Sequence, residues 1–364
     1  MEQDKINNIH ISAEKVLVTP EQLKKDLPLS DNSREYIQNA RQIVSNIVHK
    51  KDNRLLVVSG PCSIHDIKSA KEYAHRLKKL HDELKDEFYI LMRVYFEKPR
   101  TTVGWKGLIN DPNMDGSFDV EKGLTIAREL MLYLAELELP VATEALDPIS
   151  PQYLSELISW SAIGARTTES QTHREMASGL SMPVGFKNGT DGKLAVAVNA
   201  LKSAACQHRF MGINQQGQVS LLQTAGNPDG HVILRGGNKP NYDAESIEQC
   251  VQQLHQANLT ARLVVDCSHG NSSKEFQKQI PVCRDIFKQI ETGNKSIIGV
   301  MLESHINEGN QSCSNKGENL AYGVSITDAC INWEATETLL RQGANDLTSV
   351  LPMRFDMLTE NSKK

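Results

Sequence analysis

Residue types that bind anions or metal ions recur at regular points along this chain. Eight short apolar runs each end at, or just before, such residues. The residues at these points are Cys62, Arg93, Glu144, Arg166, Lys187, Arg235, Asp266, His269 and Glu303. Guanidinium and ammonium groups bind carboxylate and phosphate oxygens, whereas thiolate, imidazole and carboxylate groups bind divalent metals. If the fold gathers the ends of the runs, the pattern predicts one site with both chemistries.

Six basic residues form a candidate anion-binding set. They are Arg93, Lys98, Arg100, Arg166, Lys187 and Arg235. The segments 100–102 and 166–168 both read Arg-Thr-Thr, which offers a guanidinium, hydroxyls and backbone N–H groups to a phosphate. A single arginine is more often part of a surface ion pair. Several of them at the ends of apolar runs favour a site for two or more anionic groups.

Four residues form a candidate metal-binding set. They are Cys62, His269, Glu303 and Asp328. Their spacing is too long for a motif, and each has a structural alternative: a small buried hydrophobe, a core histidine or a helix cap. They follow the first, seventh and eighth runs, which are neighbours in a closed eight-stranded barrel. That position favours one divalent transition metal ion, and the mixed ligands suit manganese, iron, cobalt or zinc.

Strand-like and helix-like segments alternate from Leu55 onward. This alternation indicates an α/β fold with a parallel sheet, the (β/α)8 TIM barrel. In such a barrel the C-terminal ends of all strands meet at one face, which holds the active site. The first barrel helix is predicted to begin near Ser63, with Asp66 completing a capping box.

The barrel accounts for most of the chain but not all of it. We expect residues 1–50 to form an N-terminal extension with a regulatory or oligomer-contact role, 51–345 the catalytic barrel and 346–364 a C-terminal tail. A β-hairpin insertion is predicted at 209–224, because two apolar segments flank a turn that ends in Gly217. One helix of the extension has an apolar face, which would pack on the barrel or on a second subunit.

The bulk composition favours a globular cytoplasmic protein. A net charge of −5 over 364 residues gives no reason to expect nucleic-acid binding. No apolar run approaches the roughly 18 residues that a membrane helix needs, and no signal peptide is evident. Seven cysteines without a C-x-x-C pair indicate free thiols in a reducing compartment. Common nucleotide-binding and hydrolase motifs are absent from the sequence, although Lys187 could form a Schiff base as in some barrel aldolases.

Five longer segments resemble one enzyme family. They read GPCSIHD at 60–66, MRVYFEKPRTT at 92–102, GARTTES at 164–170, GFKNGTDG at 185–192 and SITDAC at 325–330. The chain closely resembles the microbial class I 3-deoxy-D-arabino-heptulosonate 7-phosphate (DAHP) synthases. This resemblance implies a transferase that condenses phosphoenolpyruvate and erythrose 4-phosphate with water to DAHP and phosphate. That reaction is the first step of the shikimate pathway to chorismate and the aromatic amino acids.

The resemblance also implies roles for individual residues. The metal would be held by Cys62, His269, Glu303 and Asp328. Phosphoenolpyruvate would contact Arg93, Ala165, Arg166, Lys187 and Arg235, and the erythrose phosphate would contact Lys98, Arg100 and Thr101. We hypothesise that Lys98 protonates the new alkoxide and that Glu144 orients the attacking water. His269 is expected to serve catalysis as well as metal binding.

The extension and the hairpin resemble the regulatory elements of the tyrosine-sensitive isozymes. The positions implied to bind tyrosine are Asn8, Pro151, Gln152, Leu180, Ser181, Phe210, Gly212 and Leu222. Alternatives are a phenylalanine-sensitive isozyme, a related synthase that uses arabinose 5-phosphate, or an extension that serves oligomer packing alone. We expect a homodimer or a homotetramer.

Overall fold

The computed structural model describes residues 6–313 and 319–355. Its strands are β1 Leu55–Gly60, β2 Phe88–Arg93, β3 Val141–Glu144, β4 Trp160–Ile163, β5 Val184–Lys187, β6 Arg209–Ile213, β7 Val219–Gln223, β8 Gly230–Leu234, β9 Leu263–Asp266 and β10 Ile297–Glu303. Eight of them close into a parallel barrel in the order β1-β10-β9-β8-β5-β4-β3-β2, and β6 and β7 form an antiparallel hairpin. The predicted (β/α)8 barrel is therefore confirmed.

Helices surround the barrel; among the residues described, two α-helices precede the first strand and one follows the last. They are α1 Pro20–Asp26, α2 Asp31–Val48, α3 Ile67–Glu83, α4 Val120–Glu136, α5 Ser150–Leu154, α6 Gln171–Gly179, α7 Ala195–Ala204, α8 Ala244–Gln256, α9 Gln279–Glu291 and α10 Trp333–Leu347. Short 3-10 helices cover Ser155–Leu157, Phe276–Lys278 and Leu351–Met353. In the part of the chain that is described, no helix is both long and apolar enough to cross a membrane. The division at residues 50 and 345 stays a prediction, and 356–364 of the tail lie outside the described residues.

The barrel strands are largely apolar because both of their faces are covered. All six residues of β1 and of β2 are buried, as are all seven of β10. Alternate residues such as Val58, Leu91 and Ile233 share one apolar cluster inside the barrel, while their neighbours pack beneath the outer helices. This packing fixes each strand, and the residue at its C-terminal end is held in place with it.

Helix α2 closes the N-terminal end of the barrel. Its buried apolar stripe consists of Ile37, Ala40, Val44, Ile47 and Val48, and all but Ile37 belong to the cluster inside the barrel. Arg41 donates hydrogen bonds to the carbonyls of Ser155 and Ile158, close before β4. The apolar face was predicted with two possible partners, and the structure shows that the barrel is one. The C-terminal end of the barrel is left for the functional site.

The first barrel helix begins later than predicted. It starts at Ile67, and Asp66 is its N-cap, accepting two backbone N–H bonds at 3.0 and 3.2 Å. Ser63, the predicted start, instead hydrogen-bonds to Thr327 Oγ1 at 2.7 Å. The capping-box prediction was wrong because the acid caps the helix itself. Residues 61–65 therefore form a loop after β1, tied to the segment that carries Asp328.

Candidate active site

A polar cavity lies at the C-terminal end of the barrel. Its volume is about 360 Å³. Eleven of the predicted site residues line it: Arg93, Lys98, Arg100, Glu144, Ala165, Arg166, Lys187, Arg235, His269, Glu303 and Asp328. Two others lie beside it. Cys62 is fully buried, with its Sγ 3.2 Å from Lys98 Nζ. Thr101 is exposed and its Oγ1 accepts a hydrogen bond from Arg166 Nε at 3.2 Å.

Three of the predicted metal ligands converge. The ligand atoms of Cys62, Glu303 and Asp328 all lie within 4.8 Å of one another. Cys62 Sγ is 3.7 Å from Asp328 Oδ2. Ligand atoms bound about 2.0–2.3 Å from one tetrahedral metal ion are themselves roughly 3.5 Å apart. The three residues can therefore hold a metal ion with little rearrangement.

His269 approaches the same cluster from the loop after β9. Its Nε2 is 3.8 Å from Glu303 Oε1 and 3.9 Å from Asp328 Oδ2, which is close to the spacing between ligands of one metal. The residue has a φ of 57°, in a left-handed conformation that is uncommon outside glycine. The turn that holds this conformation aims the imidazole at the two carboxylates. His269 as a fourth ligand stays a prediction, which this geometry supports.

The cluster brings acidic groups together, with Cys62 and Glu303 buried and Asp328 exposed. Burial, followed by the neighbouring Glu303 carboxylate, raises the pKa of the Cys62 thiol to about 11. A thiol must lose its proton to bind a metal, and a divalent cation at this point would favour the thiolate. Thiol, imidazole and carboxylate groups together fit a divalent transition metal better than calcium or magnesium, which prefer oxygen ligands alone.

Basic residues from β2, β5 and the loops after β4 and β8 surround the rest of the cavity. Arg93 Nη2 lies 2.9 Å from Glu303 Oε1, and Lys187 Nζ lies 3.1 Å from Asp266 Oδ2, both in buried ion pairs. Arg166 and Arg235 form no ion pair with any residue that the structure describes. Two guanidinium groups without an acidic partner at the edge of a cavity are suited to bind an anionic ligand.

Lys98 lies between the metal-binding cluster and the basic residues of the cavity. Its Nζ donates to Cys62 Sγ at 3.2 Å and to the Cys62 carbonyl at 3.3 Å. Burial opposes the charge on Lys98, but Cys62 and Glu303 outweigh it, so its pKa lies above the ordinary value for lysine. Lys98 is therefore protonated at neutral pH, as a proton donor must be.

Glu144 ends β3 in a nearly closed environment. It is buried, and its Oε1 has no hydrogen-bond donor among the residues described. A Cβ added at Gly164 would lie 2.3 Å from this oxygen. The carboxylate therefore depends on the missing side chain at Gly164 for its space. Sequence reasoning did not single out this glycine, because the requirement comes from a contact between β3 and the loop after β4.

Asp266 is a site residue to which sequence reasoning gave no role. It ends β9, is fully buried, and lies against both Lys187 and His269. The signal that could have found it was its position, since it ends its strand as Glu303 ends β10. Its contacts with one residue of each predicted set place it between the metal-binding and the anion-binding groups.

The eight predicted regulatory positions fall in four segments outside the cavity. Asn8 precedes α1, Pro151 and Gln152 are in α5, Leu180 and Ser181 follow α6, and Phe210, Gly212 and Leu222 are in the β6–β7 hairpin. Gln215 at the hairpin turn joins two of these segments, the hairpin and α5, and it also contacts α1, which holds none of the eight positions. It contacts Gln152 Oε1 at 2.7 Å, Lys24 Nζ at 2.8 Å and Glu21 N at 2.9 Å. Asn8 is exposed, and within the described chain no hydrogen bond joins it to the other seven positions.

Residues 22–341 match the model of the DAHP synthetase I family. The chain is 62% identical over 354 residues to the Tyr-sensitive phospho-2-dehydro-3-deoxyheptonate aldolase of Escherichia coli strain K12, covering 97% of this chain and 99% of that protein. It is 56% identical over 339 residues to the Phe-sensitive enzyme of the same strain, covering 93% and 97%.

A solved structure gives the same result. The phospho-2-dehydro-3-deoxyheptonate aldolase from Francisella tularensis SCHU S4 superposes with a TM-score of 0.90 at 47% identity, covering 95% of this chain and 99% of that one. The shared fold, the nearly full coverage and the family match agree with the resemblance seen in the sequence. The chain belongs to the DAHP synthetase I family.

Proposed function

We propose that this protein is a metal-dependent DAHP synthase. It condenses phosphoenolpyruvate with erythrose 4-phosphate and water, and it releases DAHP and inorganic phosphate at the start of the shikimate pathway. The observation that carries the proposal is one cavity in which a thiol and carboxylate cluster adjoins unpaired cationic groups. The high identity to relatives named phospho-2-dehydro-3-deoxyheptonate aldolase supports the same activity. A synthase for arabinose 5-phosphate remains the less favoured alternative.

Binding two phosphorylated substrates in one cavity requires fixed positive charge. Phosphoenolpyruvate is bound by Arg93, Ala165, Arg166, Lys187 and Arg235, and erythrose 4-phosphate by Lys98, Arg100 and Thr101. The two polyanions repel each other in water. Fixed guanidinium and ammonium groups offset that repulsion and hold the two reacting carbons in line, which lowers the entropic part of the barrier.

The residues of the chain then move protons and hold charge. A divalent metal held by Cys62, His269, Glu303 and Asp328 would supply Lewis acidity to the aldehyde oxygen. The methylene carbon of phosphoenolpyruvate attacks the aldehyde carbon, and Lys98 protonates the alkoxide that forms. Glu144 orients the water that adds to the former enol carbon, taking up its proton. The C–O bond to phosphate then breaks while the arginines hold the leaving charge.

Substrate and product balance tests this function directly. Loss of phosphoenolpyruvate, followed by its ultraviolet absorbance, is expected only when erythrose 4-phosphate is present, with one phosphate released per molecule consumed. Arabinose 5-phosphate serves as the competing acceptor. Equal rates with arabinose 5-phosphate, or consumption with no sugar phosphate at all, would reject the assignment.

Gly164→Ala is expected to lower kcat by about 10²-fold, because a displacement of about 1 Å at a catalytic group has an effect of that size. The new Cβ would lie 2.3 Å from Glu144 Oε1 and must push the carboxylate away. Steady-state kinetics of the variant measures the effect, and thermal unfolding checks that the barrel is intact. A stable variant with wild-type kcat would show that Glu144 does not need this position.

We also propose that tyrosine inhibits the enzyme through the extension and the hairpin. The support is twofold. The relative at 62% identity is named Tyr-sensitive. Gln215 links the hairpin to α5 by donating to Gln152, and to α1 by accepting hydrogen bonds from Lys24 and from the backbone of Glu21. A phenylalanine-sensitive enzyme is the alternative, supported by the lower identity of 56% to a Phe-sensitive relative.

Deletion of residues 1–10 is expected to relieve inhibition by tyrosine and leave kcat within about twofold of the full chain, because the described residues of this segment, 6–10, are all exposed. Initial rates of both proteins, with tyrosine varied at fixed substrate concentrations, measure the effect. Phenylalanine in a parallel series identifies the preferred effector. Unchanged inhibition by tyrosine in the truncated protein would remove the extension from the regulatory site.

A homodimer or homotetramer in the cytoplasm completes the proposal. Apolar side chains on one face of the hairpin support a subunit contact, since Met211, Val219 and Leu221 are 82%, 79% and 71% exposed. An exposed apolar patch of this kind is typical of an interaction surface. The net charge of −5 gives no reason to expect nucleic acid as a partner.

A further inference from the structure

Three hydrogen-bonded residues, Asp266, Ser268 and His269, connect the end of β9 to the candidate metal ligands. Asp266 is fully buried, and its Oδ1 accepts hydrogen bonds from Ser268 Oγ at 2.6 Å and from Ser268 N at 3.0 Å. Ser268 Oγ in turn lies 2.7 Å from His269 Nδ1. The other ring nitrogen of His269 faces Glu303 and Asp328.

The hydrogen-bond partners of Asp266, Ser268 and His269 determine where their protons lie. Among the residues described, the Asp266 side chain accepts two hydrogen bonds, both from Ser268, and it lies beside the Lys187 ammonium. It is therefore the ionised carboxylate, and the single hydroxyl proton of Ser268 is used toward it. Ser268 Oγ can then only accept from His269 Nδ1. The imidazole must carry its proton on Nδ1, which leaves the Nε2 lone pair free to face the metal cluster.

Backbone contacts of the loop after β9 also hold the His269 ring in this orientation. Asn271 Nδ2 donates to the carbonyl of Asp266 at 2.9 Å and to that of Leu234 at 3.1 Å, so the loop after β9 is tied to the ends of two strands. His269 keeps its left-handed φ of 57° within this loop. Ring orientation and proton position are therefore both set before a ligand arrives.

The second oxygen of Asp266 balances charge on the substrate side. Its Oδ2 lies 3.1 Å from Lys187 Nζ and 2.9 Å from His269 Nδ1. Asp266 Oδ2 has no hydrogen-bond partner among the residues described. Its contact with Lys187 pairs opposite charges, whereas its contact with His269 places the carboxylate beside the Nδ1 side of a neutral ring. A lysine with 4% side-chain exposure and no carboxylate partner would be costly to keep charged.

We propose that Asp266 is a positioning residue that acts through Ser268 to fix the proton of His269 on Nδ1 and present Nε2 to the metal. This inference rests on the metal-dependent function proposed above. Hydrogen-bonded partners of this kind fix the tautomer of metal-binding histidines, and their loss lowers metal affinity about 10- to 100-fold. A second role follows from the same carboxylate, which forms a buried ion pair with Lys187 at the substrate side of the cavity.

In the alternative explanation, Asp266 and Ser268 only stabilise the turn after β9 and do not affect metal binding. The bond from Ser268 N to Asp266 Oδ1 shapes a turn after β9, and a turn alone needs no hydroxyl on residue 268. Ser268→Ala separates the two readings, because it keeps the backbone bond and removes only the hydroxyl that joins Asp266 to the ring.

The test measures metal binding to metal-free protein, without substrates, by calorimetry with Mn²⁺ and by the visible absorption of Co²⁺. In Ser268→Ala the Kd for both ions is expected to rise about 10- to 100-fold, and Ser268→Thr, which keeps a hydroxyl, is expected to recover most of the loss. Ser159→Ala is the matched control. That serine is buried in the same barrel, and its hydroxyl has no hydrogen-bond partner in the described chain.

A second variant keeps the inference testable if the threonine does not fit. In Asp266→Asn, one of the two carboxylate oxygens becomes an NH₂ group. In one orientation of the amide this NH₂ faces the donors of Ser268, and in the other it faces Lys187 and His269. Its metal Kd is expected to rise at least as much as that of Ser268→Ala. A wild-type Kd in Ser268→Ala, or an equal loss in Ser159→Ala, overturns the positioning role. Failure of the wild-type protein to bind either ion would instead overturn the proposed metal-dependent function.

Discussion

Replacing Cys62 by alanine is expected to abolish metal binding and to lower the rate by about 10³-fold or more. Charge stabilisation by a bound metal contributes several kcal/mol to reactions of this type, and each 1.4 kcal/mol or so is a factor of ten in rate. The thiol is the one soft ligand of the cluster, with its Sγ 3.7 Å from Asp328 Oδ2. Metal content after dialysis and the rate of phosphoenolpyruvate loss measure the two effects.

Cys250→Ala is the matched control for this variant. Cys250 is also a buried cysteine, but it lies on α8 in the outer apolar core. Its replacement is expected to lower stability by about 1 kcal/mol or more through the lost packing without removing metal or activity. If Cys62→Ala kept full activity in excess chelator, the four-ligand site would be wrong.

Lys98→Met is expected to lower kcat by about 10²- to 10⁴-fold, the usual contribution of a positioned proton donor. Methionine keeps most of the apolar length of lysine and removes the ammonium that lies 3.2 Å from Cys62 Sγ. Metal binding is expected to persist, because Lys98 is not a ligand. The separation of activity from metal content distinguishes this variant from Cys62→Ala.

Lys106→Met provides the comparison for Lys98→Met. Both lysines lie in the long segment after β2, where the backbone N–H of Lys98 donates to the Lys106 carbonyl at 2.9 Å. Lys106 is exposed, so its replacement is expected to leave kcat unchanged. Activity of Lys98→Met at the level of Lys106→Met would exclude Lys98 as the proton donor and would leave it a role in binding alone.

The strand ends were predictable because a parallel barrel imposes a simple rule. Each buried strand has an apolar run, and the residue at its C-terminal end reaches the shared face, as Arg93, Glu144, Lys187 and Glu303 do. Two features of the sequence, the runs and their order, are enough for this argument. Neither depends on how loops fold, and that is why the fold and the cavity residues at the strand ends followed from them.

Features set by loops were not predictable in the same way. Asp328 lies beyond β10 in a long segment, and its approach to Cys62 depends in part on the hydrogen bond between Ser63 and Thr327, which joins two loops distant in sequence. The same bond explains why Ser63 does not cap α3. The space that Gly164 leaves for Glu144 comes from a contact between neighbouring strand ends, which periodicity does not report.

Helix α2 shows that an apolar pattern predicts burial but not the partner that covers it. Its apolar stripe indicated burial but did not identify the covering surface. Hydrogen bonds from Arg41 to carbonyls before β4 and the cluster inside the barrel supply that information. In the same way Asp266 was visible as a strand end, but its part in orienting His269 depends on the position of one serine hydroxyl.

Condensation is expected to need both the bound metal and the anion-binding residues beside it in the cavity. Titration of metal-free protein with Mn²⁺, while phosphoenolpyruvate loss is followed in the presence of erythrose 4-phosphate, tests it most directly. We expect a negligible rate without metal and a rise to a plateau at one equivalent per chain. Full activity in the metal-free protein with excess chelator, with borohydride trapping a substrate adduct on Lys187, would contradict it.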